Sequence, residues 1–167
     1  MGIFDGMSSG GKSSGWGSGS QLLTVGTDEE RALTAIGALR AFSAWEEEAL
    51  AVYPTMFSRG FLQYGVMGVS LGLLEGSGSD PVEVVEEFAA GLFEGDPAAA
   101  STLAIARSVA AGSGYRVSLE PVAIGREEWL ALLAVGTAFV GRFAQVRGLE
   151  LPEVLEALEI ELVRRSQ

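Results

Sequence analysis

After residue 27, the apolar residues recur mostly at steps of three and four, the spacing of one face of an α-helix. The first such segment opens with Thr27-Asp28-Glu29-Glu30, a capping box with acidic residues in the first turn. The pattern predicts one helix from there to Pro54, where we expect the helix to end because proline lacks the backbone N–H. Its apolar stripe is interrupted at Glu46, which we expect to point its carboxylate into water. The stripe consists of Ala32, Ala35, Leu39, Phe42, Ala49 and Tyr53.

Three further helices are predicted before residue 112. Residues 56 to 75 are apolar and glycine-rich, which favours a helix because glycine weakens strand interiors. The Gly68-x-x-x-Gly72 spacing within them would let a second helix approach closely there. Asp80-Pro81 and Asp96-Pro97 each place aspartate at an N-cap and proline in the first helical turn. The helix after Asp80 has an apolar face of Val82, Val85, Phe88, Ala89 and Leu92, and an acidic face of Glu83, Glu87 and Glu94.

The two C-terminal segments differ in how much of their surface is apolar. Residues 126 to 147 have no polar face in their middle part, so we expect them to form the central helix of a bundle. The last segment is amphipathic and ends in Arg164-Arg165, which suits the negative end of a helix dipole. A stripe of this kind packs on its own domain or on a partner, and both interpretations stay open. It is formed by Leu151, Leu155, Leu158 and Leu162.

Residues 115 to 120 alternate apolar and polar side chains, which indicates a strand. Its partner would be residues 22 to 25, residues 122 to 124, or the edge of another chain. The sequence therefore predicts an all-α fold: a single helical bundle of about five to six helices, with a short strand or extended segment near 115–124. We divide the chain into a flexible Gly/Ser-rich N-terminal arm, residues 1–20, and a helical domain, residues 21–167.

The arm contains seven glycines and six serines among its twenty residues. Against that background four apolar side chains stand out, because such side chains are costly to leave in water. We interpret them as anchors that insert into a groove of a neighbouring molecule, and the alternative is a plain unstructured terminus. The four are Ile3, Phe4, Met7 and Trp16.

Residues 6–13 match the phosphate-binding loop pattern G-x-x-x-x-G-K-[ST] and include Lys12, the only lysine of the chain. A working loop of this type lies between a buried strand and a helix N-terminus. Five residues before Gly6 are too few for a central strand, and the Gly/Ser run after Ser13 disfavours a helix. We therefore expect the match to arise from composition, and nucleotide binding at residues 6–13 stays a remote alternative.

Composition and charge narrow the function classes. The formal charge of −11 disfavours nucleic-acid binding and fits a basic partner. The chain has no cysteine and no histidine, which removes the commonest general base and two common metal-ligand types. No carboxylate pair shows a catalytic spacing, so we predict no catalytic residues, no cofactor, no metal site and no enzymatic activity.

The apolar runs 61–74 and 129–141 are each about fourteen residues long, against the roughly twenty that a membrane span needs. We therefore disfavour a membrane partner. No signal peptide is visible, and the expected location is the cytoplasm or a virion.

The leading hypothesis is a non-enzymatic structural or assembly protein, such as a phage or filament component, that forms a homo-oligomer or joins a larger complex. Its predicted interaction residues are the four arm anchors and the leucine stripe defined above. The alternative is an acidic regulatory binding protein of the inhibitor, immunity or adaptor type. That protein would use the glutamate face that includes Glu83 and Glu87.

Overall fold

A computed structural model describes residues 22–91, 96–112 and 120–165. These ranges form seven helices, and the predicted all-α fold is confirmed. The helices are α1 (Asp28–Ser43), α2 (Glu47–Met56), α3 (Arg59–Gly76), α4 (Pro81–Gly91), α5 (Pro97–Ala111), α6 (Arg126–Arg147) and α7 (Leu151–Arg165).

Several helices begin where the local sequence predicts. The Thr27 hydroxyl accepts from the Glu30 N–H, and the Glu30 carboxylate accepts from the Thr27 N–H, which completes the capping box of α1. Asp80 and Asp96 each accept a hydrogen bond at 3.0 Å from the backbone N–H two residues later. Each cap satisfies N–H groups that have no partner within the helix.

The predicted single helix from residue 28 to Pro54 is wrong, because the chain turns between α1 and α2. At the end of α1 the N–H of Trp45 donates to the Phe42 carbonyl, and the N–H of Glu46 donates to the Ala41 carbonyl. These two bonds form a Schellman motif, which requires a left-handed conformation at the residue after the C-cap. That residue is Trp45, with φ of 52°. Glu46 is therefore the N-cap residue of α2 rather than a break in one long stripe.

Pro54 does not end a helix but lies within α2, which continues to Met56. Proline has no N–H to donate to the carbonyl four residues earlier, which is that of Leu50. The indole N–H of Trp129 in α6 donates to this carbonyl at 3.0 Å. A side chain distant in sequence thus supplies the hydrogen bond that proline removes.

Helices α3 and α6 form the centre of the bundle. Helix α6 packs against α1, α3, α5 and α7, and α3 packs against α1, α4, α5 and α6. The core between them includes Phe61, Met67, Leu132 and Phe139, all fully buried. Among the described residues, α6 alone is long and apolar enough to cross a membrane by length and composition.

The predicted strand at 115–120 lies almost entirely outside the described residues, since positions 113–119 are not described. Residues 120–125 have no regular secondary structure, and the carbonyl of Val122 accepts from the N–H of Arg59 at 2.8 Å. Within the described ranges the one β pairing is a parallel bridge between Leu23 and Phe57. Residues 22–25 are therefore held by the start of α3.

Candidate functional site

An open groove of about 450 Å³ lies between α1, α3 and α7. Gly68 and Gly72 of α3 line it, and both glycines are exposed. A β-carbon added at either glycine would meet no atom within 4 Å. No described helix therefore uses the close approach that the spacing of these glycines would allow, and the missing side chains leave room above α3 instead.

The contact between α1 and α3 occurs one turn earlier, at Gly65. A β-carbon there would lie 2.9 Å from the backbone oxygen of Arg31 and 3.6 Å from the β-carbon of Ala35. The bundle thus requires glycine at position 65 for close packing and tolerates open space at positions 68 and 72. The groove begins where this close contact ends.

The walls of the groove are apolar and come from three helices. Six side chains form these walls, and all of them except Ile36 are half-buried. Each half-buried side chain exposes part of its apolar surface to a partner in the groove. Because they belong to helices packed on one core, the walls are rigidly placed. They are Ala32 and Ile36 from α1, Val69 and Leu73 from α3, and Leu158 and Leu162 from α7.

Charged side chains line the rim of the groove and pair with one another. Arg31 forms an ion pair with Asp28 and donates to the Gly26 carbonyl at 2.7 Å. Glu161 forms ion pairs with Arg164 and Arg165. The hydrogen bond from Arg164, together with its charge, holds the pKa of Glu161 below its usual range. The groove thus has an apolar interior and a rim whose charges balance.

A second, smaller cavity of about 250 Å³ lies beside Trp45, between α2 and the start of α6. Trp45 is 54% exposed, and its ring packs edge-on against Phe42 with centroids 5.9 Å apart. A non-glycine residue in the left-handed region is strained, and such strain is often retained at functional sites. Trp45 is therefore the most unusual exposed apolar residue of the described surface.

A polar cluster that the sequence did not indicate joins α3, α5 and α6. The Arg59 guanidinium donates to the Glu128 carboxylate at 2.8 Å and to the Ser101 hydroxyl at 3.3 Å. Ser101 also donates to Glu128 at 2.7 Å. The arrangement fits a structural clamp across three helix ends.

The structure places the predicted leucine stripe within the fold rather than on a free face. Leu155 is buried, Leu151 is half-buried against the core, and only Leu158 and Leu162 reach the groove. The exposed apolar residues of α7 are Ile160 and Val163, which the stripe did not include. The spacing of the leucines thus predicted which face of α7 packs on the core, but it did not indicate the exposed apolar residues Ile160 and Val163.

One glutamate of the predicted acidic face of α4, Glu87, pairs with an arginine, and so does Glu86, which the prediction did not include; Glu94 lies outside the described residues. Glu87 lies 3.1 Å from Arg142, and Glu86 accepts two hydrogen bonds from Arg107. The hydrogen bond from Arg107 lowers the pKa of Glu86. Glu83 is exposed, and Val82, predicted on the apolar face, is 45% exposed.

The arm anchors Ile3, Phe4, Met7 and Trp16, and the loop pattern at residues 6–13, lie outside the described residues. Within the described ranges no three acidic residues lie close enough to hold a metal ion. Comparison with known proteins gives no relative: no family model, no curated protein and no solved structure matches this chain.

Proposed function

We propose that this protein is a non-enzymatic assembly protein that associates with further copies of itself or joins a larger protein complex. The observation that carries the proposal is the groove between α1, α3 and α7. Its apolar walls and exposed glycine floor form a preformed concave surface of the kind that protein and peptide partners bind. The arm, with four apolar residues in a Gly/Ser-rich background, supplies a matching element.

The described surface carries further apolar side chains that support association. Trp45, Ile160 and Val163 are each more than two-fifths exposed. Single exposed apolar residues are normal, but Ile160 and Val163 belong to α7, the same helix that forms one wall of the groove. A partner that covers this part of α7 would remove both from water, and each fully buried side chain of this size contributes about 1.5–3 kcal/mol.

The alternative of an acidic regulatory binder is less well supported. One glutamate of its predicted face, Glu87, is in an ion pair with Arg142 of the same chain, and the neighbouring Glu86 is paired with Arg107. A basic partner would have to break or share those pairs, which lowers the gain from binding.

Sedimentation equilibrium of the full chain tests the proposal. An assembly held by apolar contacts should increase in mass with protein concentration and change little between low and high salt. An acidic binder would remain a monomer alone, and its complex with a basic target would weaken steeply with salt. A monomer at all concentrations, in the absence of other chains, would contradict self-assembly.

A further inference from the structure

The groove between α1, α3 and α7 matches the largest apolar residue of the N-terminal arm. We propose that the groove is the receptor for the arm of a second copy of this chain, with Trp16 as the side chain that fills it. This inference rests on the proposed function, because it names the surface through which copies would join.

The shape of the groove fits an aromatic ring. Gly68 and Gly72 are one helical turn apart, about 6 Å along the axis of α3, and together leave a strip of exposed backbone with open space above it. Leu158 and Leu162 face this strip from α7. The volume of about 450 Å³ lies within the range of about 300–1,000 Å³ typical of ligand pockets. An indole ring can lie on the glycine strip with its edges against the leucines.

The chemistry of the arm favours Trp16 over the other three anchors. Tryptophan is the most enriched residue type at the energetic centres of protein interfaces, together with tyrosine and arginine. Arg31 and Arg165 line the groove, and tryptophan is the aromatic residue that attracts arginine cations most strongly. The glycines and serines around Trp16 place no bulky side chain beside it, so the ring can enter without a clash.

The direction in which the arm leaves the body favours a second copy over the arm's own groove. Leu23 donates to the Met56 carbonyl and accepts from the Ser58 N–H, both at 2.9 Å, in a parallel bridge. From Leu23 back to Leu22, the first described residue, the chain therefore runs toward α2 and away from α3. Gly68 lies in the opposite direction, nine residues and about 14 Å along α3 from its first residue, Arg59.

The reach of the arm supports the same assignment. Six residue steps separate Trp16 from Leu22, which span at most about 20 Å when fully extended. A Trp16 that returned to its own groove would need most of this length to cover the distance along α3 alone. The arm of a neighbouring copy has no such constraint.

Disulfide crosslinking of the full chain tests the proposal, because the sequence has no cysteine to interfere. The informative pair is Ser18→Cys with Ala32→Cys, since Ala32 lines the groove and cysteine is close to alanine in size. Mild oxidation should give covalent dimers or higher species on a non-reducing gel. The control pair Ser18→Cys with Ala100→Cys, on the exposed face of α5, should give at least about tenfold less.

A second set of variants asks whether the groove itself is responsible. Gly68→Leu fills the floor and should reduce crosslinking about tenfold, as expected for blocking an interface anchor. Gly141→Leu is the matched control, because Gly141 also lies inside a helix with open space around its α-carbon but does not line the groove. It should leave crosslinking unchanged. Trp16→Ser should match the effect of Gly68→Leu.

Three results would overturn the inference. They are a crosslink confined to monomers, equal crosslinking of the two cysteine pairs, and equal effects of Gly68→Leu and Gly141→Leu. The mass of the uncrosslinked chain separates this failure from that of the proposed function. If the chain assembles but does not crosslink at Ala32, self-assembly stands and the groove is not its interface. If the chain stays monomeric, both self-assembly and the role of the groove are contradicted.

Discussion

The indole N–H of Trp129 donates to the backbone carbonyl of Leu50 at 3.0 Å, the carbonyl that Pro54 leaves without an intrahelical donor. Trp129 is buried, so this bond is shielded from water. An interior proline costs a helix about 3 kcal/mol or more, and part of that cost is the lost hydrogen bond. The contact explains why α2 continues past its proline.

Trp129→Phe should therefore destabilise the protein by about 1–3 kcal/mol through the unsatisfied carbonyl, in addition to the lost ring volume. Pro54→Ala restores an N–H that can donate to Leu50, so the same Trp129→Phe change should cost about 1 kcal/mol less in that background. Urea unfolding of the two single variants and the double variant measures this difference. An equal cost in both backgrounds would show that the hydrogen bond contributes nothing.

The helix contact between α3 and α6 depends on Gly136. A β-carbon at this position would lie 2.6 Å from the Cγ1 of Val66. We expect Gly136→Ala to destabilise the protein by about 1–3 kcal/mol despite the better helix propensity of alanine. Gly141→Ala, five residues later in open space, should instead stabilise it by up to about 1 kcal/mol. Thermal unfolding of both variants tests the contrast, and two shifts of the same sign would contradict it.

The turn after α1 and the turn after α6 use the same pair of hydrogen bonds with different residues. After α6, Gly148 has φ of 69°. Its N–H donates to the Gln145 carbonyl, and the N–H of Leu149 donates to the Ala144 carbonyl. Trp45 occupies the equivalent position after α1. For an L-residue this conformation costs about 1–2 kcal/mol.

Trp45→Gly should thus be more stable than Trp45→Ala by about 1 kcal/mol, because both lose the ring but only glycine relieves the strain. Gly148→Ala places an L-residue in the same conformation after α6, so it should lower the free energy of unfolding by about 1 kcal/mol. Denaturant midpoints provide the measurement. If Trp45→Gly were no more stable than Trp45→Ala, the left-handed conformation at Trp45 would be in doubt.

These turns and contacts also show what the sequence can predict. The caps at Thr27 and Asp96 depend on residues two or three positions apart, so their patterns predicted the helix starts correctly. The end of α1 was missed because tryptophan is rare at a left-handed position. The continuation of α2 through Pro54 was missed because its support comes from Trp129, which is distant in sequence.

The same limit applies to the candidate site. The leucine period indicated Leu158 and Leu162, which line the groove, but gave no sign of its glycine floor. The small-residue spacing at Gly68 and Gly72 would allow a close helix contact, whereas in the described part of the chain such contacts occur at Gly65 and Gly136. Which glycine is covered depends on where the helices cross, and a local spacing carries no information about that.

Alkaline stability should depend on Tyr53. Burial raises the pKa of its phenol, with smaller contributions from the charges of Glu159 and Glu46. Because the folded pKa lies above the unfolded value of about 10, stability is fully present below pH 10 and is lost as the pH rises through the folded pKa. Tyr53→Phe should remove this part of the loss, so its unfolding free energy should fall less steeply above pH 10. If the unfolding free energies of the unmodified protein and of Tyr53→Phe fell equally steeply above pH 10, Tyr53 would not be the origin of the loss.

The molar mass of the full chain tests the central claim of self-assembly most directly. Light scattering over a wide concentration range should give a mass above that of one chain, 17.4 kDa, for the unmodified protein. The chain in which Ile3, Phe4, Met7 and Trp16 are all changed to serine should remain at the monomer mass under the same conditions. A monomer mass for both proteins at every concentration would contradict the account.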